Sequence, residues 1–142
     1  MYNTSGLLYR AFSIGVIMLI IGVALLLSSK FWKPQSRKLS SAIIAICITL
    51  YAILYISVFS FKAINPVIAS YEGSFVREYR DSSKGPFTYS FVFDDGVGAD
   101  KRLRLDSFSK KDIFPDDFIE GEMYKIIYEK DTGIILHVEQ IS

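Results

Sequence analysis

The side chains that most often carry chemistry are sparse in this chain. His137 is the only histidine and Cys47 the only cysteine among 142 residues. A zinc set needs three or four His, Cys or carboxylate ligands at one point, and a hydrolytic triad needs an imidazole between a hydroxyl and a carboxylate. A lone imidazole in the alternating segment Leu136-His137-Val138 supplies neither, and it reads as an edge or solvent-facing residue. Cys47 lies midway along an apolar run, where a thiol behaves as a small packing residue. Being alone, it cannot close an intrachain disulfide. The expectation is a protein that is not an enzyme, with no catalytic residue, no metal and no cofactor.

Two acidic clusters come nearest to a metal site. Asp94, Asp95 and Asp100 surround Gly96 and Gly98, and Asp116, Asp117, Glu120 and Glu122 form a second run. Such oxygens suit Ca²⁺, but neither cluster has the alternating Asp-x-Asp-x-Asp-Gly spacing of a calcium loop. Turn chemistry accounts for both. Lys101, Arg102 and Arg104 form the basic patch of this half, suited to acidic side chains or lipid headgroups. Tyr71, Tyr79, Tyr124 and Tyr128 add aromatic surface of the kind that contacts peptides or sugars. The residues expected to touch a partner are Lys101, Arg102, Arg104, Tyr124 and Tyr128.

The elements that must position these residues follow from charge. All fifteen acidic residues lie at or beyond Glu72, whereas six basic residues and no acidic one precede it. From Glu72 onward ten basic residues face those fifteen acids, a balance of −5. Nucleic acid is not an expected partner, because its phosphates demand a net positive footprint.

Two uncharged runs occupy the first half, Ala11–Ser29 and Leu39–Phe61, 19 and 23 residues long. As helices they reach about 28 and 34 Å, enough for a hydrocarbon core of about 30 Å. A cleaved signal peptide is the rival for the first run. Against it, the apolar core of the run is followed by Ser28-Ser29-Lys30-Phe31-Trp32-Lys33, an interfacial anchor and not a cleavage site. Lys30, Lys33, Arg37 and Lys38 lie between the runs with no acid among them. The excess of positive charge predicts a cytoplasmic loop and both termini outside the cell membrane. Gly15 and Gly22 share one face of the first helix; Ser41, Ala45, Thr49 and Ala52 share one face of the second. Small faces let helices approach closely in lipid, within one hairpin or in a homo-oligomer. Neither run contains an ionisable side chain that would serve a proton or ion pathway.

Strand signals follow Asn65-Pro66. Tyr71–Arg80 opens the series. In Phe87–Phe93 the aromatics Phe87, Tyr89, Phe91 and Phe93 alternate with Thr88, Ser90 and Val92, which places the aromatics on a core face. Lys101–Asp106 sets Leu103 and Leu105 opposite Arg102 and Arg104. Ser109-Lys110-Lys111-Asp112 begins a short helix stopped near Pro115. Met123–Glu129 and Ile134–Gln140 pair through the turn Lys130-Asp131-Thr132-Gly133. Three strands, a helix and two strands is the order of an OB-fold barrel. The fold class is thus an α+β membrane protein: a transmembrane hairpin over 1–65, with spans at 11–29 and 39–61 and a basic loop at 30–38. A small five-stranded antiparallel OB-like β-barrel domain with one short helix follows over 66–142.

Gly73 at the opening of the first strand and the segment Gly121-Glu122-Met123-Tyr124-Lys125-Ile126-Ile127-Tyr128 carry a resemblance. The plan is similar to small bacterial membrane proteins of unknown function with two spans and a β domain behind them. The resemblance implies an extracytoplasmic or juxtamembrane domain and no activity. The function expected is binding, as an accessory subunit or partner of a cell-envelope complex, with the lipid bilayer and another membrane or surface protein as partners. A ligand-binding module for glycan, peptide or Ca²⁺ is the alternative, and an immunity or defence protein the third.

Overall fold

The computed structural model describes residues 2–31, 35–80, 88–98, 100–106, 113 and 117–141. Its order is α1 (Ser5–Ser28), a short 3-10 turn (Ser29–Phe31), α2 (Gln35–Ile64), then β1 (Ile68–Arg80), β2 (Thr88–Asp94), β3 (Lys101–Asp106), β4 (Met123–Glu129) and β5 (Ile135–Ile141). The chain forms two compact units, Arg10–Phe61 and Met1–Tyr9 with Lys62–Ser142.

Both helices are long and apolar enough to cross a membrane, and both extend beyond the uncharged runs. The Asn3 side chain accepts from the Ser5 amide at 2.9 Å, so α1 starts six residues before Ala11. Arg10 is therefore helical. Its Nε donates to the Tyr55 hydroxyl at 3.3 Å, and its guanidinium lies 5.9 Å from the Phe59 ring centroid. α2 ends at Ile64 because a residue before proline is pushed out of the α region, and Pro66 follows Asn65. Within the hairpin, a Cβ on Gly15 would overlap the Ile56 side chain, and one on Gly22 would meet the Thr49 backbone nitrogen at 3.1 Å. The partner moves back seven residues as the glycine moves forward seven, so the helices are antiparallel. Ala45 and Ala52 are fully buried. Ser41 and Thr49 are half-buried, and the Thr49 hydroxyl donates back to the Ala45 carbonyl at 2.8 Å.

The second unit holds one antiparallel sheet in the order β3-β2-β1-β4-β5. β1 serves two neighbours: Ile68–Ser74 pairs with β4, and Ser74–Arg80 pairs with β2. Gly73 sits mid-strand at this changeover and not at the strand opening. A Cβ there would lie 2.8 Å from the Asp94 carbonyl oxygen, so the close approach needs glycine. A bulge between Phe75 and Arg77 follows and bends the strand.

The inner face collects Phe75, Phe91, Phe93, Leu103, Leu105 and Ile126 with Tyr124 and Tyr128. The Phe118 ring packs against four of these aromatics, at centroid distances from 4.8 to 5.3 Å. The expected closed barrel is not formed. Among the described residues β3 meets the chain just before β5 through one parallel bridge, Arg104 with Ile134, instead of a ladder. The turn 130–133 adds to this contact through the Arg104 amide, which donates to the Gly133 carbonyl at 2.9 Å. The helix expected from Ser109 lies outside the described residues, apart from Ile113, which is buried in the core. Phe87 is likewise outside them.

The amino-terminal residues belong to this unit. The Asn3 amide donates to the Leu136 carbonyl at 3.2 Å, and the Tyr2 ring stands 6.5 Å from that of His137. At the β4–β5 turn Glu129 is fully buried. Its Oε2 accepts from the Thr132 amide at 2.8 Å and the Thr132 hydroxyl at 2.6 Å, while Oε1 lies 3.5 Å from Lys62 Nζ. Buried carboxylates persist only when paired and hydrogen-bonded, and this one has both.

Candidate functional site

Register decides which basic side chains of the β unit are free. Phe91 and Phe93 point into the core, so Thr88, Ser90 and Val92 take the opposite face of β2 by strict alternation. Directly across from Val92 stand Arg77 on β1 and Arg102 on β3. Across from Ser90 stand Tyr79 and Arg104. Arg77, Tyr79 and Arg102 line one open cavity of about 330 Å³. Arg77 and Arg102 are exposed and Tyr79 is half-buried. Val92 is only 1% exposed although it lies outside the core cluster, as expected for a side chain flanked in register by the aliphatic stems of two arginines.

The expected basic patch divides into three different roles. Arg104 donates from its guanidinium to the Thr132 carbonyl, and its amide holds Gly133, so it fastens β3 to the β4–β5 turn. Lys101 faces the inner side of the sheet, its ammonium 5.2 Å from the Tyr128 ring centroid, a cation–π contact. Arg102 remains exposed. It joins Tyr79, one of the tyrosines expected to offer aromatic surface, and Arg77, which did not stand among the expected contact residues. Only the β1–β2 register with its bulge brings them to Arg102, and no local spacing announces that.

Tyr124 and Tyr128 lie in the core, 6% and 8% exposed, with the Tyr124 hydroxyl accepting from the Ile119 amide at 3.0 Å. Neither contributes to the exposed face. His137 is exposed on β5 and Cys47 on α2. Among the described residues no group of three metal-ligating side chains converges. Asp94 and Asp95 instead each accept from a backbone amide two residues on, Gly96 at 2.8 Å and Val97 at 2.9 Å, as Asx turns do. Asp116 lies outside the described residues. The Asp94–Asp100 turn still concentrates negative charge: burial, and then Asp95, Asp94 and Asp100, push the Tyr71 phenol above its ordinary pKa.

No protein-family model, no curated protein and no solved structure matches the chain.

A guanidinium fork pairs with a carboxylate through two parallel N–H···O bonds. The Cα positions of Arg77 and Arg102 are two strand spacings apart, about 10 Å. That span matches the separation of two neighbouring anionic groups, and the Tyr79 hydroxyl is chemically a further donor or acceptor beside it.

Proposed function

We propose that this protein is a membrane-anchored interaction module, an accessory subunit of a cell-envelope complex. Its two apolar helices form the anchor, and its β domain receives a carboxylate-bearing segment of a protein partner on the Arg77–Tyr79–Arg102 face. The observation that supports this reading is the presence of two exposed guanidiniums in register on either side of Val92, without an ion-pair partner among the described residues. The balance of −5 beyond Glu72 repels a long polyanion, yet a short acidic segment meets only the local arginines. The loop between the helices is assigned to the cytoplasm and the β domain to the outside, on the four basic residues between Lys30 and Lys38.

Orientation is tested by thiol labelling of intact cells carrying Val97→Cys or Ser36→Cys in a Cys47→Ala background. Val97 is 87% exposed. Impermeant reagent should modify position 97 and spare position 36; the reverse pattern overturns the orientation. The partner is tested with a photo-crosslinking residue at position 79 in the native host. A crosslinked protein whose attached peptide carries Asp or Glu is expected. The adduct should be lost with Arg77→Glu/Arg102→Glu and kept with Arg102→Lys. An adduct indifferent to charge reversal overturns the proposal, and an adduct to a second copy of the chain reassigns the face to self-association.

A further inference from the structure

We infer that the helix hairpin carries a binding site for an anionic glycerophospholipid at its loop end, an inference that rests on membrane insertion as proposed above. Lys30, Gln35, Ser36, Lys38, Leu39 and Ala42 line an open cavity of about 880 Å³. A second cavity of about 370 Å³, lined by Leu25, Ser36, Arg37 and Ile44 among others, shares Ser36 with it. Each cavity combines cationic and hydroxyl groups with aliphatic walls continuous with the apolar helices.

The charge complement is missing from this half of the chain, since no acidic residue occurs before Glu72. Lys30 and Lys38 are both exposed, so neither is neutralised by a carboxylate of its own unit. Phosphate attracts lysine as a point charge, and the Ser36 hydroxyl and Gln35 amide add donors that a phosphodiester accepts. Leu39 and Ala42 then continue as an apolar surface along which an acyl chain lies. A soluble phosphate uses only the polar end of such a cavity, whereas a phospholipid uses both ends. A lipid therefore matches the lining better than a free anion does.

The test uses the full chain in nanodiscs of equimolar phosphatidylglycerol and phosphatidylcholine, followed by native mass spectrometry of retained lipid. Phosphatidylglycerol should be retained preferentially. Retention should fall about fivefold for each lysine removed, as in Lys30→Gln and Lys38→Gln, and should persist in Lys30→Arg/Lys38→Arg and in Lys125→Gln, a control in the β unit. Helical circular dichroism of each variant reports that the hairpin is intact. Equal retention of the two lipids, or no response to the lysine variants, overturns the site. Displacement of retained lipid by glycerol 3-phosphate reassigns the cavity to a soluble phosphate and also overturns it. Resistance of the protein to alkaline extraction from vesicles is scored separately: loss there refutes insertion itself, while intact insertion with no lipid preference refutes only this site.

Discussion

Arg77 and Arg102 occupy one register line, on either side of Val92, although 25 positions of sequence separate them. Both are exposed, whereas Arg104, two residues on from Arg102, is held by the Thr132 carbonyl. Two arginines of one strand thus perform different work.

That division predicts unequal stability effects. Arg102→Ala should change unfolding free energy by no more than about 0.5 kcal/mol, as exposed substitutions usually do. Arg104→Ala should cost about 1.5–3 kcal/mol, the range for hydrogen bonds to charged groups, because it removes the guanidinium bond to the Thr132 carbonyl and leaves only the backbone bond to Gly133. Denaturant unfolding of the full chain in detergent, followed by tyrosine fluorescence, separates the two. Equal effects would contradict the assignment.

The buried Glu129 carboxylate depends on Thr132 for two of its hydrogen bonds. Thr132→Val removes the hydroxyl donor and should cost about 1–3 kcal/mol. Combined with Glu129→Gln, the two changes should be non-additive by at least about 0.5 kcal/mol. A double-mutant cycle yielding additive losses would show that the turn is held by other contacts.

Gly73 and Gly96 differ in why they are glycine. At Gly73 an added methyl meets the Asp94 backbone oxygen, which cannot move without opening the β1–β2 ladder, so Gly73→Ala should destabilise by about 1–3 kcal/mol. At Gly96 nothing lies nearby, but φ is +78°. There Gly96→Ala should cost about 1 kcal/mol through backbone strain alone. Melting curves that rank Gly96→Ala as the more damaging would refute the close-approach account.

Asp131 accepts a hydrogen bond from Lys62 at 2.6 Å, and that bond, with the lysine's charge, holds its carboxyl below the ordinary 3.8. A carboxyl depressed on folding adds stability above its unfolded pKa and loses it as pH falls through the folded value. The contribution is therefore complete at neutral pH and declines below about pH 4. It is small, because the carboxylate is exposed and screened. The melting-temperature gap between the natural chain and Asp131→Asn should narrow between pH 5 and pH 2 in steps of about one unit; a gap independent of pH would remove the ion pair from the account.

The sequence by itself determined the two apolar helices, the strands and the inward placing of Phe91 and Phe93 on β2 and of Leu103 and Leu105 on β3. These follow from local rules: uncharged runs long enough for lipid, side chains alternating with a period of two, and a proline that ends a helix. Lys101–Asp106 and Met123–Glu129 have the same bounds in sequence pattern and structure. Arg10 falling inside α1 was set by the Asn3 cap, a feature too local and too common to stand out.

What only the tertiary structure decided was pairing. The sheet stays open except at Arg104 and Ile134, because closure depends on whether two distant edges share a register. Tyr124 and Tyr128 could have faced either side of their strand, and the core took both rings. Lys101 and Arg104 are engaged by Tyr128 and Thr132, partners more than twenty residues away, which left Arg102 for Arg77 and Tyr79. Local alternation sets the face a side chain takes. Which side chains it meets there depends on strand order, register and the irregularities at Phe75/Arg77 and Ile127/Tyr128, all of them properties of contacts between residues far apart in the chain.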